Sequence, residues 1–289
     1  MANISVAHIS NPSYHNSNSK SNRKPAISLS LVMSKKSRRL FFTLLLSLFF
    51  LLITCIAVYW LLNRFDREKR TYYADFQIHL PENYQIHGID VSKYQKKIAW
   101  DMVSGMKVGN IKLGFVFIKA TQGNGMVDTR FERNWYHAKR VGMARGAYHY
   151  FNVHQSGRSQ AHNFMQIVKL SEGDLPPVLD IEQLDGVPES EMRDNMRNWL
   201  ETITTHYGVK PIIYTYADFY EDHLLGFFDD YPLWIAHYHN GQQPRANRSW
   251  HFWQHNEDGR VNGIDAPVDF NVFQGDSASF NNLLLKANN

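Results

Sequence analysis

Beyond residue 85 the chain alternates between short apolar runs and longer amphipathic stretches. Eight apolar runs have the length of buried strands, and they are residues 87–91, 114–119, 145–151, 177–181, 211–215, 233–237, 251–255 and 267–272. Three stretches between them have the three- and four-residue spacing of apolar positions that is typical of amphipathic helices, and they are residues 129–141, 157–171 and 188–207. Strands that alternate with helices indicate an α/β protein with a mainly parallel sheet.

Eight such strands predict a closed, TIM-like (β/α) barrel. The last three strand candidates are joined by connections with only weak helical patterns. We therefore expect the barrel to be irregular and flattened, with few helices around its final part. No internal repeat and no second folded domain is indicated.

A different pattern precedes this domain, an uncharged run rich in Leu and Phe from Leu40 to Leu62. As a helix, its 23 residues would reach roughly 34 Å, enough to span the hydrocarbon core of a bilayer. Basic residues immediately precede the run, so the positive-inside rule places the N-terminus in the cytoplasm. We predict a basic, disordered cytoplasmic tail at 1–39, a single-pass anchor in the cytoplasmic membrane at 40–62, a stalk at 63–85 and an extracytoplasmic domain at 86–289.

A cleaved signal peptide is the alternative for the apolar run, because Cys55 and Ala57 are small residues. The run continues through Tyr59 and Trp60 beyond any such cleavage site, which favours an uncleaved anchor. Thr54 before Cys55 argues against lipoprotein processing. Translation could also begin at Met33, directly before the basic cluster.

The overall positive charge comes from the N-terminal tail. Seven of the 31 Lys and Arg residues lie within residues 1–39, which contain no acid, so 24 basic residues face 27 acidic ones from position 40 onward. The charge therefore gives no indication of nucleic-acid binding. The single cysteine, Cys55, excludes an intramolecular disulfide, so a packed core must stabilise the domain.

Carboxylates stand at or just past the ends of three predicted strands, namely Asp90, the pair Asp180 and Glu182, and Asp269. In a (β/α) barrel these strand ends converge on one face, so distant acids can share one cleft. The two-residue spacing of Asp180 and Glu182 points both side chains the same way on a strand. The pair could instead be a solvated strand end, but it follows the apolar run Pro-Pro-Val-Leu. Two carboxyls on one face suit glycosidic bond cleavage, since burial keeps one of them protonated near neutrality.

Aromatic residues cluster near the same strand ends. Aromatic faces stack on sugar rings, although such residues also fill cores. Four of them are assigned to substrate binding, namely Tyr148, Tyr214, Trp234 and Tyr238, whereas Trp253 is assigned to the core. Lys119, at the end of another strand, is assigned to binding or orienting an acid. The 14 histidines show no HExxH or Cys-His spacing, so neither a metal nor another cofactor is expected.

The order of the motifs resembles that of family 25 glycoside hydrolases, the lysozymes or muramidases sometimes called the Chalaropsis type. Between residues 86 and 275 the motifs are GIDVSKYQ, FVFIKATQG, RGAYHYF, PPVLDIE, PIIYTY, PLWIAHY, FWQH and VDFNVF. The resemblance implies a flattened β/α barrel. It also implies hydrolysis of the β-1,4 bond between N-acetylmuramic acid and N-acetylglucosamine in peptidoglycan glycan strands.

By this resemblance, Glu182 is the general acid/base, and Asp180 assists the N-acetyl group of the substrate during a retaining, substrate-assisted reaction. Asp90 and Asp269 line the cleft. A direct mechanism with Asp180 as covalent nucleophile stays open.

The chain departs from the family pattern at two positions. Gln122 stands where many relatives have Glu, and His255 stands where an aromatic residue is common. Two other functions also stay open, a non-catalytic wall-binding module on a membrane tether and a glycosidase of another N-acetylated glycan. The intact set of acids argues against the first, and only substrate assays separate the second.

Overall fold

The computed structural model describes residues 34–66, 70–238 and 241–287. The chain divides into two compact units, Met1–Ala57 and Val58–Asn289. Most of the predicted tail, residues 1–33, lies outside the described residues, as do residues 67–69 of the predicted stalk.

The first helix, α1 (Lys35–Asp66), contains the predicted membrane segment. Its stretch Lys35–Leu62 is the one described helix that is long and apolar enough to cross a membrane, with a mean hydropathy of 2.7 in its most apolar window. Its Leu and Phe side chains are exposed. By length and composition, both a membrane anchor and a signal sequence fit this helix.

The second unit contains all of the strands that the structure describes. In chain order they are β1 (Arg70–Tyr73), β2 (Ile78–Pro81), β3 (His87–Val91), β4 (Lys107–Val108), β5 (Ile111–Gln122), β6 (Met126–Val127), β7 (Ala144–Tyr150), β8 (Val178–Asp180), β9 (Ile212–Tyr216), β10 (Leu233–Ala236), β11 (Phe252–Val261) and β12 (Ile264–Phe273). The helices after α1 are α2 (Trp100–Gly105), α3 (Phe131–Arg140), α4 (Gly157–Ile167), α5 (Glu189–Tyr207), α6 (Ala217–Phe219) and α7 (Ser277–Leu283). A 3₁₀ turn at Lys93–Gln95 and a π-helical turn at Tyr220–Leu224 complete the elements.

Eight strands close the barrel in the order β3, β5, β7, β8, β9, β10, β11 and β12, and β12 pairs back onto β3. Neighbours are parallel from β3 to β11. Strand β12 is antiparallel to both of its neighbours, β11 and β3. The predicted closed, irregular (β/α) barrel is therefore confirmed. Each predicted strand falls on one barrel strand, and the three predicted helices correspond to α3, α4 and α5.

The irregular part of the barrel is its C-terminal third. Strands β11 and β12 form one long hairpin whose register shifts at several points beyond Gln254. Gly263 makes the turn with φ of +90°, and a Cβ there would lie 2.6 Å from the carbonyl oxygen of Ala99. Only glycine fits this position, because a side chain would meet both the backbone conformation and the carbonyl.

Two layers of apolar side chains make the core. Inside the barrel, alternate strand positions fill the space, as with Phe115 and Phe117 on β5, and the ring of Phe117 stacks on Trp234 at 4.2 Å. Outside it, the helices bury their apolar faces against the strands. On α5 this face consists of Met192, Met196, Trp199, Leu200 and Ile203. Trp253, assigned to the core by sequence, is fully buried.

The stalk predicted for residues 63–85 is too long, because β1 and β2 form an antiparallel hairpin that packs on the barrel. Phe76 at the hairpin turn is fully buried, and its ring lies 5.1 Å from that of Phe270. The backbone amide of Arg260 donates to the carbonyl of Phe76 at 2.9 Å. The strands were missed because each has four residues, too few for an alternating pattern to be recognised.

We expect Phe76→Ala to destabilise the second unit by about 3–5 kcal/mol, the usual effect of removing a buried Phe ring. Urea unfolding of a fragment that starts at residue 67 measures the change. Tyr72→Ala is the matched control, because Tyr72 lies on the same hairpin and is 53% exposed. Equal unfolding midpoints for the two variants would show that the hairpin does not stabilise the barrel.

Candidate active site

A cleft of about 250 Å³ opens at the carboxyl ends of the parallel barrel strands. It brings together all of the residues that the sequence analysis assigned to catalysis or substrate binding, namely Asp90, Lys119, Tyr148, Asp180, Glu182, Tyr214, Trp234, Tyr238 and Asp269. Most of these residues meet here because they lie on neighbouring parallel strands toward their carboxyl ends, whereas Asp269 reaches the cleft from the middle of the antiparallel strand β12.

One wall of the cleft carries the pair Asp90 and Asp269. Asp90 lies near the end of β3, and the antiparallel register of β12 places Asp269 directly opposite it. The carboxylate oxygen Oδ2 of Asp90 accepts hydrogen bonds from Nε2 of Gln254 at 2.7 Å and from Nδ2 of Asn271 at 2.8 Å. Asp90 therefore receives two amide donors on one oxygen.

These donors decide how the pair shares its protons. Burial raises the pKa of Asp90 to about 6, and the hydrogen bonds from Asn271 and Gln254 oppose this rise. Burial, followed by the charge of Asp90, raises the pKa of Asp269 to about 9. At neutral pH the pair thus holds one proton, on Asp269, and Asp90 is the anion.

Aromatic side chains fix the two amides in turn. The oxygen Oε1 of Gln254 accepts hydrogen bonds from the hydroxyls of Tyr214 at 2.7 Å and Tyr238 at 2.6 Å. The indole Nε1 of Trp234 donates to Oδ1 of Asn271 at 2.8 Å. With their oxygens occupied, both amides turn their NH₂ groups toward Asp90. Three of the four aromatic residues predicted at the site therefore orient its acid network.

The opposite wall carries Asp180 and Glu182, at and just after the end of β8. Asp180 is 6% exposed, and among the described residues its oxygen Oδ1 has no hydrogen-bond partner. Burial, followed by the charge of Glu182, raises the pKa of Asp180 well above its ordinary value. Burial also raises the pKa of Glu182, against the opposing effects of a hydrogen bond from Tyr150 and the charge of Lys119. The pair therefore retains protons at a pH where exposed carboxyls have lost them.

Lys119 lies beside this pair at the end of β5. Its ammonium group donates to Oε1 of Gln122 at 2.9 Å and lies 4.5 Å from the centroid of the Tyr150 ring. Burial lowers the pKa of Lys119, and the charges of Asp180 and Asp128 oppose this effect. No carboxylate in the described part of the chain lies within ion-pair distance of it.

Several lining residues were not assigned from sequence, among them Tyr94, Tyr150, Tyr216, Gln254 and Glu257. The two-residue period of a strand could have identified Tyr150 from Tyr148 and Tyr216 from Tyr214. Gln254 had no such signal, because its role depends on partners on other strands. Across residues 34–66, 70–238 and 241–287, no group of three His, Cys, Asp or Glu side chains is arranged to hold a metal ion.

Comparison with known proteins agrees with this geometry. The sequence profile of glycosyl hydrolases family 25 matches residues 89–264. Uncharacterized protein YegX of Escherichia coli (strain K12) is 46% identical over 200 residues, which cover 69% of this chain and 74% of that protein. Lysozyme M1 of Streptomyces globisporus is 33% identical over 222 residues, covering 71% of this chain and 72% of that protein.

Solved structures show the same relationship. A family 25 glycosyl hydrolase from Bacillus anthracis superposes with a TM-score of 0.66 and 31% sequence identity, covering 72% of this chain and 97% of that one. The profile match contains the cleft residues from Asp90 to Glu257, and Asp269 on β12 lies just beyond it. The chain therefore belongs to family 25 of the glycosyl hydrolases.

Proposed function

We propose that this chain is a peptidoglycan hydrolase, a lysozyme that cleaves the β-1,4 bond between N-acetylmuramic acid and N-acetylglucosamine. Membership of family 25 makes it a glycoside hydrolase, and the relative from Streptomyces globisporus carries the name of a lysozyme. The observation that carries the proposal is the pair of carboxyls in the cleft, Asp180 and Glu182. Burial raises the pKa of both, and their neighbours change the two pKa values to different extents. Such a pair supplies a proton donor and a second carboxyl that stabilises positive charge once it has lost its own proton.

Glu182 is the proton donor in this proposal. It is half-buried, so a bound glycan can reach it, and its raised pKa keeps the proton available. In the first step it protonates the glycosidic oxygen of the leaving sugar. In the second step the resulting carboxylate takes a proton from the attacking water.

Asp180 acts on the 2-acetamido group of the substrate. Its carboxyl group, which lines the cleft, is the acceptor for the acetamido N–H, and this hydrogen bond orients the acetamido oxygen toward the anomeric carbon. The acetamido oxygen then forms an oxazolinium intermediate, which keeps the anomeric configuration after hydrolysis. Among the described residues its oxygen Oδ1 has no partner, so the hydrogen bond with the substrate gives this carboxyl an interaction that the free protein lacks.

The non-catalytic alternative requires none of these pKa shifts. A module that only bound glycan would be served by aromatic faces, whereas four wholly or partly buried carboxyls with raised pKa values destabilise the fold at neutral pH. Retention of all four supports catalysis. A glycosidase of another N-acetylated glycan would use the same acids, so it is distinguished by its substrate.

We also propose that α1 anchors the enzyme in the cytoplasmic membrane, with its basic N-terminal side in the cytoplasm and the barrel outside. Lys35, Lys36, Arg38 and Arg39 precede the apolar part of the helix, which supports this orientation. Peptidoglycan lies on the outer side of that membrane, so the proposed substrate and the barrel are on the same side.

For the general acid, we expect Glu182→Gln to retain the fold and to lower turnover of purified peptidoglycan by about 10²–10⁴-fold. In the wild type, loss of the proton from Glu182 sets the alkaline limb of kcat/KM. Because burial raises this pKa, the limb should lie above the range of an exposed glutamate. Reducing-sugar release across a pH series measures both effects, with thermal unfolding as the control for folding. Activity of Glu182→Gln near that of the wild type would contradict the assignment.

For the substrate-assisted step, we expect Asp180→Asn to lower kcat strongly and to leave KM nearly unchanged, the pattern of an interaction lost in the transition state. A thiazoline mimic of the intermediate should inhibit the wild type and bind the variant much less tightly. Steady-state kinetics and inhibitor titration measure these values. A covalent glycosyl adduct on Asp180, detected by mass spectrometry, would instead establish the direct nucleophile mechanism.

For the topology, we expect protease added to spheroplasts to digest the barrel while the cytoplasmic membrane stays intact. Immunoblots with antibody to the barrel and to a cytoplasmic protein give the measurement and its control. Protection of the barrel until lysis would reverse the orientation. A soluble mature form that lacks α1 would identify the helix as a cleaved signal sequence.

A further inference from the structure

Lys119 is a cation in a cleft of acids, and yet its hydrogen-bond partner is neutral. Its ammonium group donates to the amide oxygen of Gln122 at 2.9 Å and lies over the ring of Tyr150. Neither contact neutralises the charge. No carboxylate of the described residues lies within ion-pair distance of this partly buried ammonium group, so an incoming anion would gain a direct interaction there.

The surroundings of Lys119 have room for such an anion. A small hollow of about 30 Å³ adjoins the cleft, and Lys93, Lys119, Gln122 and Asp128 are among its lining residues. This volume suits a group of the size of a water molecule or a carboxylate oxygen. Lys119 and Tyr94 line both the hollow and the cleft, so a substituent of a bound sugar can enter it.

Asp128, the one acid at the hollow, is already engaged by backbone donors. Its Oδ2 accepts from the amide of Lys93 at 2.9 Å, and its Oδ1 accepts from the amide of Arg130 at 2.8 Å. The nearby Lys93 adds a second positive charge at the hollow, whereas the charges of Asp180, Asp128 and Glu182 act on Lys119 in the opposite sense from a distance. The ammonium groups at this hollow therefore still have hydrogen-bond donors available, and ammonium groups bind anions.

We propose that Lys119 binds a carboxylate carried by the lactyl substituent of the muramic acid residue, and so selects muramic acid over N-acetylglucosamine. This inference rests on the proposed function. The two sugars of peptidoglycan differ by this substituent, and its carboxylate is the group that a lysine can recognise. This carboxylate can come from either of two sources. One is the lactyl group itself, after hydrolysis of the amide bond that joins it to the peptide. The other is an acidic residue of the attached peptide.

The site lies next to the proposed chemistry. Tyr150 contacts the Lys119 ammonium group with its ring and is a hydrogen-bond donor to Glu182 with its hydroxyl. A carboxylate held by Lys119 therefore places the muramic acid residue beside the general acid. The muramic acid residue that Lys119 binds is then the sugar whose glycosidic bond is cleaved.

The test combines enzyme variants with substrates that differ in charge. The substrates are glycan oligomers of alternating N-acetylglucosamine and N-acetylmuramic acid in three forms, with free lactyl carboxylates, with these converted to methylamides, and with intact peptides. The variants are Lys119→Met, which removes the charge, and Gln122→Glu, which neutralises it with a carboxylate. Lys112→Met is the matched control, because Lys112 lies on the same strand, is exposed and is not part of the cleft.

We expect the wild type and Lys112→Met to cleave a carboxylate form with a kcat/KM about tenfold to a hundredfold higher than the methylamide form, as befits a hydrogen bond between charged groups. Lys119→Met and Gln122→Glu should lose this preference. A preference for free lactyl carboxylates over intact peptides identifies the lactyl group as the source, and the enzyme then acts after an amidase reaction. A preference for intact peptides over free lactyl carboxylates identifies an acidic residue of the peptide as the source.

Equal kcat/KM for charged and methylamide substrates in the wild type would overturn the inference and leave the proposed function intact. The inference would also be overturned if Lys119→Met lowered kcat/KM equally on all substrates and displaced the pH profile. Lys119 would then act through the pKa of Glu182 alone. If Lys119→Met fails to fold, Gln122→Glu decides, and retention of the wild-type preference in it overturns the inference. Failure of the wild type to cleave any form would instead contradict the proposed function.

Discussion

The removal of carboxyl groups from water is the constraint on which the cleft depends. Burial is the largest cause of the raised pKa of Asp90, Asp180, Glu182 and Asp269. A buried acid must either keep its proton or receive donors that stabilise its charge. Asp90 receives two amide donors, and Asp269 keeps its proton. Asp180 has an oxygen that nothing in the described residues satisfies. Similar side chains thus acquire different chemical properties from their neighbours.

The barrel supplies those neighbours through the way it closes. Because β12 runs antiparallel between β11 and β3, it places Asp269 opposite Asp90 and brings Asn271 within reach of the same carboxylate. The aromatic residues at the mouth then fix the amides by hydrogen bonds from their polar edges. Trp234 does this while its ring stacks on Phe117 inside the barrel. Packing inside the barrel therefore fixes Trp234, and through Asn271 it also fixes the carboxyl of Asp90.

Sequence patterns were sufficient for the barrel and for its acids, and there is a physical reason for this. Buried strands are continuous apolar runs, and polar residues at their carboxyl ends converge on one face, so Asp90, Asp180 and Glu182 could be placed together. The amide of Gln254 could not be found in the same way. Its function depends on one carboxylate and two hydroxyls on other strands, and no local pattern records such partners.

The N-terminal hairpin was missed for a different reason. Strands of four residues show too little alternation, and the polar residues around Phe76 suggested a solvated segment. Its burial depends on β11 and β12, which lie almost two hundred residues further along the chain. Scattered aromatic residues within a charged and polar stretch were the available signal, and they do not distinguish a stalk from a docked hairpin.

The hydrogen bonds that hold Asp90 also set the time at which the enzyme can become active. Gln254 and Asn271 follow it by 164 and 181 residues. Strand β3 is synthesised well before its partner β12. Contacts of such long range form slowly and late in folding. A chain synthesised only as far as β11 therefore lacks the ordered acid pair, and the hydrolase gains its cleft only after β12 has been synthesised.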